Sequence, residues 1–90
     1  TFAKPDTDTF SLLALAKEAI KRGGAYPAVL NAANEVAVAA FLNKKLSFTG
    51  IFDVVTETFE ALSDASRIWS VDDIFAFDSA ARRLAEEYIG

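Results

Sequence analysis

The sequence predicts an all-α fold, a small helical bundle of four to five helices around a buried central helix. Three observations carry that expectation. Pro27 to Leu42 is a run of sixteen residues with no internal glycine or proline, rich in Ala and Leu-type helix formers. Its apolar residues surround the helix, and only Asn31, Asn34 and Glu35 interrupt them, the pattern of a helix enclosed by others. The flanking segments repeat apolar residues at helical spacing.

Taken in order, residues 1–9 hold Pro5, Asp6 and Asp8 with little periodicity and read as a lead-in linker. A first helix is expected over 10–22, with Asp8 or Thr9 as N-cap candidates and Leu12, Leu13, Leu15, Ala16, Ala19 and Ile20 on its inner face. Lys21 and Arg22 suit its C-terminal dipole, and Gly23-Gly24 end it. The central helix follows over 27–42, opened by Pro27. The third helix is expected over 50–62, capped by Thr49, with Ile51, Val54, Val55, Thr58, Phe59 and Leu62 on one side.

After a loop from Ser63 to Trp69, Ser70 is the expected N-cap of the next helix, with Asp73 as the capping-box acid and Trp69 with Ile74 as a hydrophobic staple. Ile74-Phe75-Ala76-Phe77 are apolar on consecutive positions, so a break near Phe77 is expected, giving helices over 71–76 and 78–89. Asp78 would cap the second. In that last helix Ala81, Leu84, Ala85, Tyr88 and Ile89 form the inner side. Arg82-Glu86 and Arg83-Glu87 stand at ion-pair spacing.

Composition removes several classes of function. The 90 residues contain no Cys and no His, which excludes disulfides, thiolate nucleophiles, imidazole bases and the common zinc sites. Net charge is −4 and the basic residues lie in scattered pairs, so nucleic acid is not an expected partner. No apolar run approaches the eighteen or so residues of a membrane span. The chain starts at Thr1 without methionine or a signal-peptide pattern and reads as a piece of something longer.

The candidate site is Asn31, Asn34 and Glu35, which spacings of three and four place together near the start of the central helix. Two readings are open: a structural polar network tying neighbouring backbone to this helix, or a catalytic amide and carboxylate in a cleft. Rarity of unsatisfied buried polar groups favours the network. Burial implies that Glu35→Ala costs about 1–3 kcal/mol. Elsewhere the signals are weaker. Gly23-Gly24 lacks phosphate-loop spacing, and Asp53, Glu57 and Glu60 read as a solvated helix face. Asp72-Asp73 and Glu86-Glu87 are adjacent residues that point apart on a helix.

The run P-A-V-L-N-A-A-N-E-V-A-V-A-A-F-L from Pro27 to Leu42 resembles the central helix of the C-terminal domain in the 1-deoxy-D-xylulose 5-phosphate reductoisomerase family. The likeness extends to Pro5-Asp6, Leu13-Ala14-Leu15-Ala16, Phe48-Thr49 with Ile51, Val71-Asp72-Asp73, Asp78 and Ala81-Arg82. A departure is Ser11-Leu12 after Phe10, where the family usually carries proline. The resemblance implies an isoprenoid-pathway oxidoreductase using NADPH and a divalent cation, Mg or Mn, and acting as a homodimer. It implies cytoplasmic location in a bacterium, or a plastid in a plant or alga.

In that family the catalytic, metal and cofactor residues lie upstream of the matched segment. None maps onto this sequence, so the implied role is structural, with the catalytic domain of the same polypeptide as partner. An isolated domain of this kind is expected to be inactive and to expose an apolar face that favours self-association. The alternative is a free-standing acidic helical interaction module. A carrier-protein version resting on Asp78-Ser79-Ala80 leaves too few residues after Ser79 for the helices such a bundle needs.

Overall fold

The computed structural model describes residues 3–90, with side chains from Leu12 onward. Four helices follow one another: α1 (Ala3–Arg22), α2 (Tyr26–Leu42), α3 (Phe48–Ala61) and α4 (Val71–Ile89). Among the described residues there is no strand, so the fold is all-α as the sequence predicts. α2 is central and touches all three of the other helices. Its inner side is lined by Val29, Ala32, Ala33 and Ala37, none of them accessible to solvent.

The core divides into two connected parts. Near the start of α2, Tyr26, Val29 and Ala32 pack with Phe59 of α3, Ala81 of α4 and Ala65 of the α3–α4 loop. Toward its end, Ala33 and Ala37 pack with Ile51, Val54 and Val55 of α3 and Ala85 of α4. The Tyr26 and Phe59 rings meet with centroids 5.1 Å apart. Arg22 lies over both rings, 5.0 Å from each centroid. Its guanidinium also donates to Glu18 at 2.8 Å, which holds the Glu18 carboxyl below its usual range.

Several boundaries differ from the sequence-based expectation. Thr1 and Phe2 lie outside the described residues, but α1 begins at Ala3, inside the expected linker. Pro5 falls in the first turn of α1, where its missing N–H has no intrahelical partner to lose. Asp8 and Thr9 are therefore within the helix and not at its cap. The N-cap of α3 is Ser47, whose hydroxyl accepts from the Gly50 amide at 3.0 Å, and Thr49 lies inside the helix. Ser47 has the extended backbone that a cap requires.

α4 runs unbroken through Phe77. Ile74 and Phe77, three residues apart, reach the core, while Phe75 is left 65% exposed. A helix can carry the apolar run because it need not bury every member. Asp78 is consequently in mid-helix and caps nothing. At the start of α4, Ser70 and Asp73 occupy the N-cap and third positions of a capping box. The Asp73 carboxylate accepts from the Trp69 and Ser70 amides at 2.6 and 3.2 Å. Trp69 is 91% exposed and forms no staple on Ile74, whose side chain turns to the core instead.

The turns explain how the helices are fixed. Gly23 and Gly24 both have positive φ, 72° and 59°, and close α1 tightly enough for the Ala25 amide to donate to the Ala65 carbonyl at 2.7 Å. The Tyr26 hydroxyl donates to the Ser63 carbonyl at 2.8 Å. These bonds clamp the α1–α2 turn onto the α3–α4 loop. α2 ends in a Schellman arrangement, with Lys44 at φ 63° and the Lys44 and Lys45 amides donating to the Phe41 and Ala40 carbonyls.

Two pairs of substitutions test this account. A Cβ at Gly24 would lie 2.6 Å from the Ala65 carbonyl oxygen, whereas at Gly23 it meets nothing within 4 Å. Gly23→Ala should cost about 1–2 kcal/mol for its left-handed backbone, and Gly24→Ala clearly more, by chemical denaturation. Ser47→Ala should cost about 1 kcal/mol and Thr49→Ala less than half of that, which circular dichroism melts can separate.

Candidate functional site

The three polar residues of α2 do come together on one side, but that side is open. Asn31, Asn34 and Glu35 are all exposed, which corrects the expectation of burial. The reason is rotational. Ala32, Ala33, Ala37 and Ala40 occupy the inner arc of α2, and the three polar residues occupy the outer one. Glu35→Ala therefore leaves no buried group unpaired, and the cost expected from burial does not apply.

Glu35 and Asn31 belong to a chain of contacts that crosses from α2 to α4. Asn31 Nδ2 donates to Glu35 Oε2 at 3.2 Å. Arg82 Nη2 of α4 donates to Glu35 Oε1 at 2.9 Å, and Arg82 Nε donates to Asp78 Oδ1 at 2.7 Å. Asp78 and Glu35, in that order, stabilise the Arg82 cation and raise its already high pKa. Arg82 thus pairs with Asp78 and Glu35 and not with Glu86. The long-range partner Glu35 was invisible to spacing rules, which see only neighbours on one helix.

Asn34 stands apart from this chain. Among the described residues it makes no hydrogen bond, and with Asn31 it borders a groove between α1 and α2 of about 380 Å³. The groove is otherwise apolar, lined by Leu12, Ala16, Ile20 and Leu30 among others. Ile20, on its α1 rim, is 75% exposed. The arrangement can bind by shape and by amide hydrogen bonding. The carboxylate beside those amides is that of Glu35, which accepts from Asn31 Nδ2 and from Arg82 Nη2.

The other acidic and glycine-rich segments lie apart from this chain of contacts. Among the described residues no group of three or more acidic side chains could hold a metal ion. Asp53, Glu57 and Glu60 are exposed along α3. Gly24 faces the backbone of Ala65 and Ser66, so the space a phosphate would need is already filled.

The described residues form an all-α bundle of four helices with an apolar groove between α1 and α2. A protein-family model described as the DXP reductoisomerase C-terminal domain matches residues 1–84, and the chain belongs to that family. The 1-deoxy-D-xylulose 5-phosphate reductoisomerase of Chlorobium limicola is 50% identical over 90 residues, covering 100% of this chain and 23% of the relative. That of Zymomonas mobilis is 51% identical over 81 residues, covering 90% and 21%. The solved structure of the Zymomonas mobilis enzyme in complex with NADPH superposes with a TM-score of 0.77 at 49% identity, over 86% of this chain and 20% of that one. The chain thus spans less than a quarter of the length of these relatives.

The Arg82 bridge generates a prediction. All its members are at least partly solvated, with side-chain exposures of 41% for Arg82, 54% for Glu35 and 30% for Asp78. Arg82→Gln should lower the melting temperature only slightly. The difference from the unmodified chain should shrink as ionic strength rises from about 0.1 to about 1 M, since screening weakens exposed pairs.

Proposed function

We infer that the chain is the C-terminal structural domain of a longer NADPH-dependent reductoisomerase that converts 1-deoxy-D-xylulose 5-phosphate to 2-C-methyl-D-erythritol 4-phosphate in isoprenoid biosynthesis. The observation that carries this reading is the match at 50% identity over the whole chain to an enzyme of that name. The NADPH complex of the Zymomonas mobilis neighbour supports the same cofactor for the parent protein. A divalent cation and a homodimeric parent, cytoplasmic in a bacterium or in the plastid of a plant or alga, complete the proposal.

The domain itself contributes rigidity. Its bundle fixes the relative positions of α1 and α4, and the catalytic domain of the same polypeptide is its partner. The chemistry is assigned to that upstream region, where the family resemblance places the catalytic, metal and cofactor residues. Self-association of the isolated chain is expected where the partner is missing, since Ile20, Leu42 and Phe75 are then left exposed.

The test uses the full-length gene product. The complete polypeptide should oxidise NADPH when given 1-deoxy-D-xylulose 5-phosphate and a divalent cation, followed at the nicotinamide absorbance. The 90-residue chain alone should show no turnover and no NADPH binding. Activity in the short chain, or a full-length product that ignores this substrate, would refute the assignment.

A further inference from the structure

We propose that the groove between α1 and α2 seats an extended segment of the polypeptide that precedes Thr1, held through its backbone by the side-chain amides of Asn31 and Asn34. The inference rests on the reading of the chain as a C-terminal domain and adds which face receives the rest of the protein.

Four observations converge on that face. The sequence of α2 is apolar nearly all round, yet its outer arc is uncovered, with Leu42 71% exposed and Pro27 on the surface. The groove on the edge of this arc is apolar along its length, and Ile20 on its rim is 75% exposed. Asn34 borders it with no hydrogen-bond partner among the described residues. More than three quarters of a relative lies outside the region matched here, and the match is to a C-terminal domain, so that missing length precedes α1, which forms one wall of the groove.

The chemistry selects the occupant. A carboxamide carries both a donor and an acceptor, the complement of a peptide group. Residues three apart on a helix present side chains about 5–6 Å apart. In an extended chain, peptide groups facing the same way recur every two residues, about 6.6 Å. Asn31 and Asn34 can therefore each engage one peptide group of a single strand, while its alternate side chains enter the apolar groove. Asn31 gives one Nδ2 hydrogen to Glu35 Oε2 at 3.2 Å and keeps its second Nδ2 hydrogen and its Oδ1 for a peptide group. The exposed Trp69, Val71 and Phe75 at the start of α4 offer apolar surface of comparable exposure. They lack amides to register a backbone.

A photoreactive benzophenone side chain placed at Ile20 of the full-length polypeptide tests the assignment, with the same probe at Trp69 as comparison. Ile20 is exposed, so the probe should not disturb the bundle. Mass spectrometry should find adducts joining position 20 to residues upstream of Thr1 in the same chain. In the Asn31→Ala/Asn34→Ala double variant their yield should fall roughly ten-fold, the loss of two hydrogen bonds of ordinary net strength. Adducts to a second copy, capture of the upstream region from Trp69 instead, absence of adducts, or a yield unaffected by the double variant would each overturn the proposal. If any of these occurs in a polypeptide that turns over substrate, only the docking face is lost. A gene with no catalytic region before Thr1 removes both readings.

Discussion

Close approach of α2 and α4 through alanine is the constraint on which the rest of the structure depends. Ala32, Ala33 and Ala37 of α2 and Ala81 and Ala85 of α4 are all fully buried. Side chains this small let two helices lie near each other, and they lose no rotamer entropy on burial. The larger apolar side chains are then gathered on the α3 side, where Phe59, Val55 and Val29 fill the space. A larger residue in the alanine seam would push α4 outward and separate Arg82 from Glu35, so the seam also sets the one long-range ion pair among the described residues.

Where the seam ends, the turns take over. The pair Gly23-Gly24 permits the α1–α2 connection to touch the backbone of Ala65 and Ser66, and no side chain could stand between them. The Ala25 amide and the Tyr26 hydroxyl then bind carbonyls of the α3–α4 loop. The loop of residues 62–70 is thereby pinned at Ser63 and Ala65, whose carbonyls are satisfied by groups of the α1–α2 turn at the same end of the bundle.

Much of this was legible in the sequence, for reasons that can be named. The inner face of α3, from Ile51 to Phe59, follows directly from amphipathic spacing and is buried as expected. The glycine ending of α1 and the Ser70–Asp73 cap use local chemistry that needs no tertiary information. Failures came where one residue type fits two roles. Thr49 and Ser47 are both competent caps, and only the extended backbone of Ser47 decides between them. Asp78 has the composition of a cap, but its carboxylate is spent on Arg82. Ile74 to Phe77 looked too apolar for one helix because the rule assumes every apolar residue is buried, and Phe75 is not. For the candidate site, the grouping of Asn31, Asn34 and Glu35 was readable and its burial was not, since an apolar-all-round helix gives no rotational reference.

The energetics of those three residues bear on why they are there. Asparagine is among the weaker helix formers, so two of them in the first half of α2 cost the helix on the order of 1 kcal/mol relative to alanine. Their contacts within the bundle do not offset this. The Asn31–Glu35 hydrogen bond is exposed, Asn34 has no partner among the described residues, and exposed ion pairs such as Glu35–Arg82 are worth little. A bundle selected only for its own stability would gain by carrying alanine at positions 31 and 34, as it does at 32 and 33. Asn31 and Asn34 stand instead on the open arc of α2, beside an apolar groove.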